Sequence, residues 1–226
     1  MTTLLIATRN AHKVGEIRAI LGAQWQFRTL NDFPGAPKVV ENAPTFEGNA
    51  EKKAVELSEW ISRQPSTVNR HLFVLADDSG LEVDALDGAP GVHSARFAAL
   101  DTGKPGNSPD ADNNAKLLRL LKQVPPEKRT ARFRCAIALA PVREGRIESS
   151  SPVCYADEFE APTFSGACPG KIIPEPRGQN GFGYDPLFVP DGYAQTFAEL
   201  GDEVKNKISH RAKALEQLKQ WLASNK

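Results

Sequence analysis

Two short apolar runs, Leu4-Leu5-Ile6-Ala7 and Leu72-Phe73-Val74-Leu75-Ala76, each stop at a stretch dense in polar and charged side chains. Runs of this length, bounded in this way, read as buried strands. Between them apolar residues recur at helical spacing. Val14, Ile17, Ile20 and Leu21 precede Gly22, which ends that helix, and Ala50, Ala54, Leu57 and Ile61 follow Phe46. Strands that alternate with helices restrict the chain to an α/β or α+β sheet protein.

Further along, Phe133, Cys135, Ile137 and Leu139 fall on one side of an alternating segment at 132–140, which predicts a half-buried strand. Residues 115–121 predict a helix. Ile208, Ala212, Leu215, Leu218 and Leu222 mark one face of a last helix. Pro65 sits in a polar loop at 62–70. Gly103, Pro105, Gly106 and Pro109 mark a mobile surface loop at 101–112, and Pro, Gly and Asn dominate 166–183. A length of 226 residues suits one large domain over 1–226, or two lobes sharing a core.

Charge narrows the function classes. The 28 basic and 28 acidic side chains cancel, which disfavours duplex nucleic acid as a partner. Aromatic residues at 8% count against a single-strand binder. No apolar run approaches the roughly 20 residues needed to span a bilayer. The first ten residues have neither a basic region nor a long apolar stretch, so no secretory leader is expected. Cys135, Cys154 and Cys168 fit neither a disulfide framework nor a zinc site and read as reduced thiols of a cytoplasmic protein.

Four stretches carry residues that can do chemistry. Thr8-Arg9-Asn10-Ala11-His12-Lys13 lies between a strand and a helix, where unpaired amides and the helix dipole favour an anion. It has no Walker glycines, and a plain helix cap with solvated basic residues is the commoner alternative. Asp77-Asp78-Ser79-Gly80 stands at the end of an apolar strand, the edge where ligands of open α/β sheets gather. One carboxylate there can bind a metal or take a proton. Magnesium needs only one or two carboxylates beside substrate phosphates, and Glu41 or Glu47 can supply a second. A turn capped by its own side chains is the structural alternative.

In Asn180-Gly181-Phe182-Gly183-Tyr184-Asp185-Pro186, glycines flank a ring and leave its face open for stacking on a base, worth roughly 1–3 kcal/mol. A turn with a core Phe is the plainer reading. In Lys205-Asn206-Lys207-Ile208-Ser209-His210-Arg211, Ile208 begins the buried face of the last helix. His210 and Arg211 project away from it, where such side chains are usually solvated. His71 and His93 read as loop and surface. Taken together the four stretches supply phosphate donors, metal carboxylates, a stacking ring and hydrogen-bond donors, the parts of a nucleotide hydrolase.

Thr8-x-Asn10-x-x-Lys13, Phe46-x-x-Asn49-Ala50, Ala76-Asp77-Asp78-Ser79-Gly80-Leu81, Gly88-Ala89-Pro90-Gly91-Val92-His93-Ser94-Ala95-Arg96, Gly181-Phe182-Gly183-Tyr184-Asp185-Pro186 and Ile208-Ser209-His210-Arg211 occur in this order. The series resembles the inosine-triphosphate pyrophosphatase family, also called Ham1-like. The resemblance implies an elongated mixed β-sheet flanked by helices, with the nucleotide in a central cleft between two lobes. It also implies a homodimer, Mg2+, and cleavage of ITP, dITP or XTP to the monophosphate and pyrophosphate.

By that resemblance Thr8, Arg9, Asn10, Ala11, His12 and Lys13 hold the triphosphate. Asp78 is metal ligand and general base, with Glu41 the second ligand. Ser79 contacts the nucleotide. Phe182, Gly183, Tyr184 and Asp185 line the base pocket, with Phe182 stacking, and Lys205, His210 and Arg211 touch substrate. The chain departs from the family pattern in three places. Arg9 stands where Gly or His is common, Asn42 follows Glu41 where two adjacent acids are common, and the segments at 62–70 and 101–112 are long. Competing functions are a Maf-like pyrophosphatase for other modified nucleotides, which the motifs fit less well, and a non-catalytic nucleotide-binding regulator, for which an acid such as Asp78 has no use.

Overall fold

The computed structural model describes residues 2–64, 72–103, 105–143 and 161–225. The expectations for His71, Cys154, most of the loop at 62–70 and one residue of the loop at 101–112 lie outside them. The fold is a mixed α/β arrangement. Among the described residues six strands form one sheet, β1 (Thr3–Ile6), β2 (Gln26–Thr29), β3 (Leu72–Val83), β4 (Thr130–Pro141), β5 (Thr163–Ile172) and β6 (Phe188–Pro190), in the order β2-β1-β3-β4-β5-β6. β1 runs parallel to both neighbours, pairing Leu5 with Arg28 and with Val74. β5 and β6 are antiparallel, with Lys171 opposite Val189. The helices are α1 (Ala11–Leu21), α2 (Phe46–Ser62), α3 (Asp110–Leu120), α4 (Phe197–Ile208) and α5 (His210–Ser224).

The chain forms two compact units. One comprises Met1–Asp78, Ala136–Phe164 and Leu215–Lys226; the other comprises Ser79–Cys135 and Ser165–Ala214. In the first, Leu4, Leu5, Ile6, Ile17, Ala50, Ala54, Leu57, Ile61, Val74 and Leu75 are buried, as the apolar runs and helical spacing require. α1 starts on Asn10, whose side chain accepts from the amides of His12 and Lys13, and stops at Gly22, whose φ of 83° a side chain would resist. In the second unit Leu81, Val83, Phe97, Leu117, Phe133, Phe188 and Phe197 lie in one buried cluster with Tyr184.

Several expectations fail for identifiable reasons. β3 does not stop at Ala76. It runs through Asp77-Asp78-Ser79-Gly80 to Val83, so these residues form neither a turn nor a strand end. The carboxylates end the apolar run without ending the strand, because buried partners satisfy them. Gly80 is needed for close approach: a Cβ there would lie 2.6 Å from the Gly91 carbonyl oxygen and against Ser94 Oγ. β4 is buried on both faces over residues 135–140, since Ala136, Ala138 and Ala140 fill the second face where the alternation suggested polarity.

The glycine-rich stretch at 166–183 is strand as far as Ile172. Gly166 and Gly170 serve crowding rather than turning, and a Cβ on Gly166 would collide with the His210 carbonyl. The loop expected at 101–112 gives way to α3 at Asp110. The last helix breaks at Ser209 (φ −67°, ψ 163°), which leaves Ile208 as the end of α4. Cys135 and Cys168 are buried, and neither forms a disulfide among the described residues.

Candidate active site

The start of α1 is organised by its own side chains. Thr8 Oγ1 accepts the Asn10 N–H at 3.1 Å, and Asn10 Oδ1 accepts the amides of His12 at 2.9 Å and Lys13 at 3.3 Å. The cap is therefore real and already occupies two of the amides expected to face an anion. Ala11 and His12 are exposed. Arg9 donates to the Ala36 carbonyl at 3.0 Å, and Lys13 forms an ion pair with Asp77.

Asp77 and Asp78 are successive residues of an extended strand, so their side chains point to opposite faces. Both are buried. Asp78 Oδ2 accepts the Asn49 amide at 3.0 Å, and Asn49 Oδ1 in turn accepts the Ala43 N–H at 2.9 Å. Lys53, one helical turn beyond Asn49 on α2, donates to the Asp77 carbonyl at 3.1 Å and pairs with Glu41 at 2.7 Å. Burial is the main cause of a raised Asp78 pKa. The charges of Lys13 and Lys53 oppose it, and the Glu41 carboxylate adds to it.

No group of three or more His, Cys, Asp or Glu fit for a metal ion exists among the described residues. Asp78 and Glu41 are nonetheless hard oxygen donors close enough for one charge to raise the pKa of the other. That is the electrostatic setting a divalent cation relieves, and two carboxylates suffice where phosphates and water complete the shell. The donor chemistry fits magnesium.

In the second unit the turn at 181–185 is built around Asp185. Its Oδ2 accepts the Phe182 N–H at 2.9 Å and is ion-paired to the buried Lys205. Gly181 has a φ of 79°, and a Cβ there would strike the Asp185 carboxylate. Phe182 is half-buried, and the Lys205 ammonium lies 4.5 Å from its ring centroid. Tyr184 belongs to the core, with its hydroxyl donating to the Ser94 carbonyl at 2.9 Å.

α5 opens on Ser209, whose hydroxyl accepts the Ala212 N–H at 3.2 Å. His210 and Arg211 are thus its first two residues. The expectation that they are solvated fails, since they are only 4% and 1% exposed. His210 stacks on Phe133, with centroids 4.8 Å apart and planes 12° from parallel. Arg211 Nη2 donates to Ser79 Oγ at 2.8 Å. The break at Ser209 turns the two side chains inward, and the bare backbone at Gly166 lets this helix start approach β5.

Sequence reasoning gave no role to Lys53 or to Asn49. A signal existed: Asn49 and Lys53 are two polar residues four apart on the face that Ala50, Ala54 and Leu57 bury. Polar side chains on such a face need internal partners.

Known proteins resemble the chain over nearly its whole length. A profile of the Ham1 family matches residues 4–221. A protein of Desulforamulus reducens named dITP/XTP pyrophosphatase is 48% identical over 213 residues, covering 94% of this chain and 91% of that one. One of the same name from Geobacter sulfurreducens is 47% identical, over 98% of this chain and 97% of its own. Among solved structures, the Ham1 protein of Staphylococcus aureus superposes with a TM-score of 0.76 at 31% identity, covering all of both chains. A HAM1 protein of Coxiella burnetii gives 0.75 at 36% identity, over 99% of this chain and 100% of that one.

Proposed function

This chain belongs to the Ham1 family, and on that premise we propose that it is a dITP/XTP pyrophosphatase that also takes ITP. It hydrolyses each to the monophosphate and pyrophosphate and so clears deaminated purines from the nucleotide pool. The observation that carries this reading is the likeness, across nearly the whole of both chains, to proteins named for that reaction.

Asp78 is the general base in this reading. It takes the proton of the attacking water, and the Asn49 amide fixes its carboxylate. Its raised pKa brings it closer to neutral working pH than an ordinary aspartate. Thr8, Arg9, Asn10, Ala11, His12 and Lys13 hold the triphosphate. Lys53 orients Glu41 and the Asp77 peptide. Asp78 and Glu41 would hold Mg2+, which supplies charge neutralisation to the phosphates when bound.

Phe182 stacks on the base from the turn of Gly183, Tyr184 and Asp185. Lys205, beneath that ring, and Ser79 with its partner Arg211 complete the substrate contacts. His210 and Arg211 are donors, and Arg cannot accept. They suit the 6-oxo group of hypoxanthine and xanthine and oppose the 6-amino group of adenine, which would leave buried donors unpaired. The enzyme acts as a cytoplasmic homodimer on a small nucleotide, without nucleic acid or membrane. No helix among the described residues is long and apolar enough to cross a membrane. Phosphorus NMR of the products tests the reaction: dITP should give dIMP and pyrophosphate, whereas the diphosphate and orthophosphate would make the enzyme a phosphatase instead.

A further inference from the structure

The turn that carries Phe182 is held from both sides. The Phe182 N–H goes to Asp185 Oδ2. The next amide, that of Gly183, donates to Asp110 Oδ2 at 2.6 Å, and the Gly183 carbonyl accepts the Asn114 amide at 3.0 Å. Asp110 and Asn114 are four residues apart on α3 and therefore share a helix face. Asn114 Oδ1 is buried and has no hydrogen-bond partner among the described residues, so the bond to Gly183 is the one that orients this amide.

The peptides on either side of the Phe182 Cα are thus each pinned by a side-chain carboxylate. Their orientations define φ and ψ at Phe182, which leaves only the side-chain torsions to place the ring. Gly183 itself sits at φ 63° with nothing within 4 Å of a Cβ position, so its glycine serves conformation and not space. The segment leading to α3 is tied down as well. Asp101 pairs with Lys116 at 2.6 Å and with Arg119 at 2.7 Å, both on α3.

We propose that Asp110 and Asn114 are positioning residues of the nucleobase site: by clasping Gly183 at its N–H and at its carbonyl they set the direction of the Phe182 ring. This gives the long segment before α3 a role, because it delivers the first turn of α3 to the base-stacking turn. The inference rests on Phe182 being the stacking ring.

The test is steady-state kinetics with dITP on the full chain carrying Asp110→Ala, Asn114→Ala, Asp110→Asn, Asp112→Ala, Phe182→Ala, or Asp110→Ala together with Phe182→Ala. Asp112 is a second exposed acid in the same helical turn, so Asp112→Ala matches the loss of helix-dipole stabilisation without touching Gly183. Asp110→Ala and Asn114→Ala should each raise KM roughly tenfold with kcat changed less than about twofold, because the interaction lost is one of binding. Asp110→Asn keeps an acceptor oxygen and should stay near wild type, as should Asp112→Ala.

The double variant should show no KM beyond that of Phe182→Ala, since the clasp acts through that ring. Wild-type KM in both alanine variants, alongside a raised KM in Phe182→Ala, would overturn the clasp and leave the stacking reading standing. Multiplied effects in the double variant would also overturn it. An unchanged KM in Phe182→Ala would sink the stacking reading and the clasp with it. Asn114→Ala keeps the test open should Asp110→Ala fail to fold.

Discussion

Asn49 donates its amide to Asp78 Oδ2 at 3.0 Å while its own oxygen is held by the Ala43 N–H at 2.9 Å. A carboxylate in the middle of a buried strand is thereby fixed in direction, while the charges of Lys13 and Lys53 act on it. Everything assigned to Asp78 depends on that relationship.

Replacing Asp78 with Asn preserves shape and removes the charge. Turnover should fall by at least about 10²–10⁴-fold, the usual consequence of losing a general base. Thermal stability should move the other way. Burial raises the Asp78 pKa in the folded protein, so its contribution to stability is fully present below the ordinary aspartate value of 3.8 and is lost as pH rises through the raised value. Asp78→Asn should therefore melt at or above the wild-type temperature at pH 7.5, with the difference fading toward pH 3.5. A variant that melts well below wild type at pH 7.5 would show that the charge is a structural requirement.

The same raised pKa sets the acid side of the rate profile. A protonated Asp78 cannot take a proton, so kcat/KM should decline on acidification above the range of an ordinary carboxylate. Raising Mg2+ should move that decline to lower pH, because the cation competes with the proton for the carboxylate. A decline indifferent to Mg2+ would remove Asp78 from the metal site.

Gly80 and Gly15 should respond oppositely to alanine. At Gly80 a Cβ would lie 2.6 Å from the Gly91 carbonyl oxygen, so Gly80→Ala should cost about 1–3 kcal/mol in urea denaturation. At Gly15, inside α1, nothing lies within 4 Å, and Gly15→Ala should add about 0.5–1 kcal/mol. Equal effects would mean that Gly80 marks no close approach.

The sequence made some of this legible and hid the rest for physical reasons. Leu4, Leu5 and Ile6, with Ile17 and Leu21 of α1 and Ala50, Ala54, Leu57 and Ile61 of α2, followed from periodicity alone, because apolar side chains leave their spacing in the sequence; Val14 and Ile20 are only half-buried. Asp77, Asp78 and Gly80 misled because local chemistry favours a turn at Asp-Ser-Gly, and only the tertiary partners Lys13, Asn49 and Ser94 let a strand continue through them. His210 and Arg211 misled similarly: helical spacing carries the last helix unbroken past Ser209, whose extended backbone breaks it, and so turns both residues toward solvent. Asp110 and Asn114 left no signal beside Phe182, since 69 residues separate Asn114 from Gly183.

The central claim is a preference for deaminated purines, and kcat/KM measured in parallel for dITP, XTP and dATP with Mg2+ tests it most directly. The account predicts that dITP and XTP exceed dATP by orders of magnitude, up to about 10⁴-fold for a site built on hydrogen-bond donors to the 6-oxo group. Equal values for dITP and dATP would contradict it.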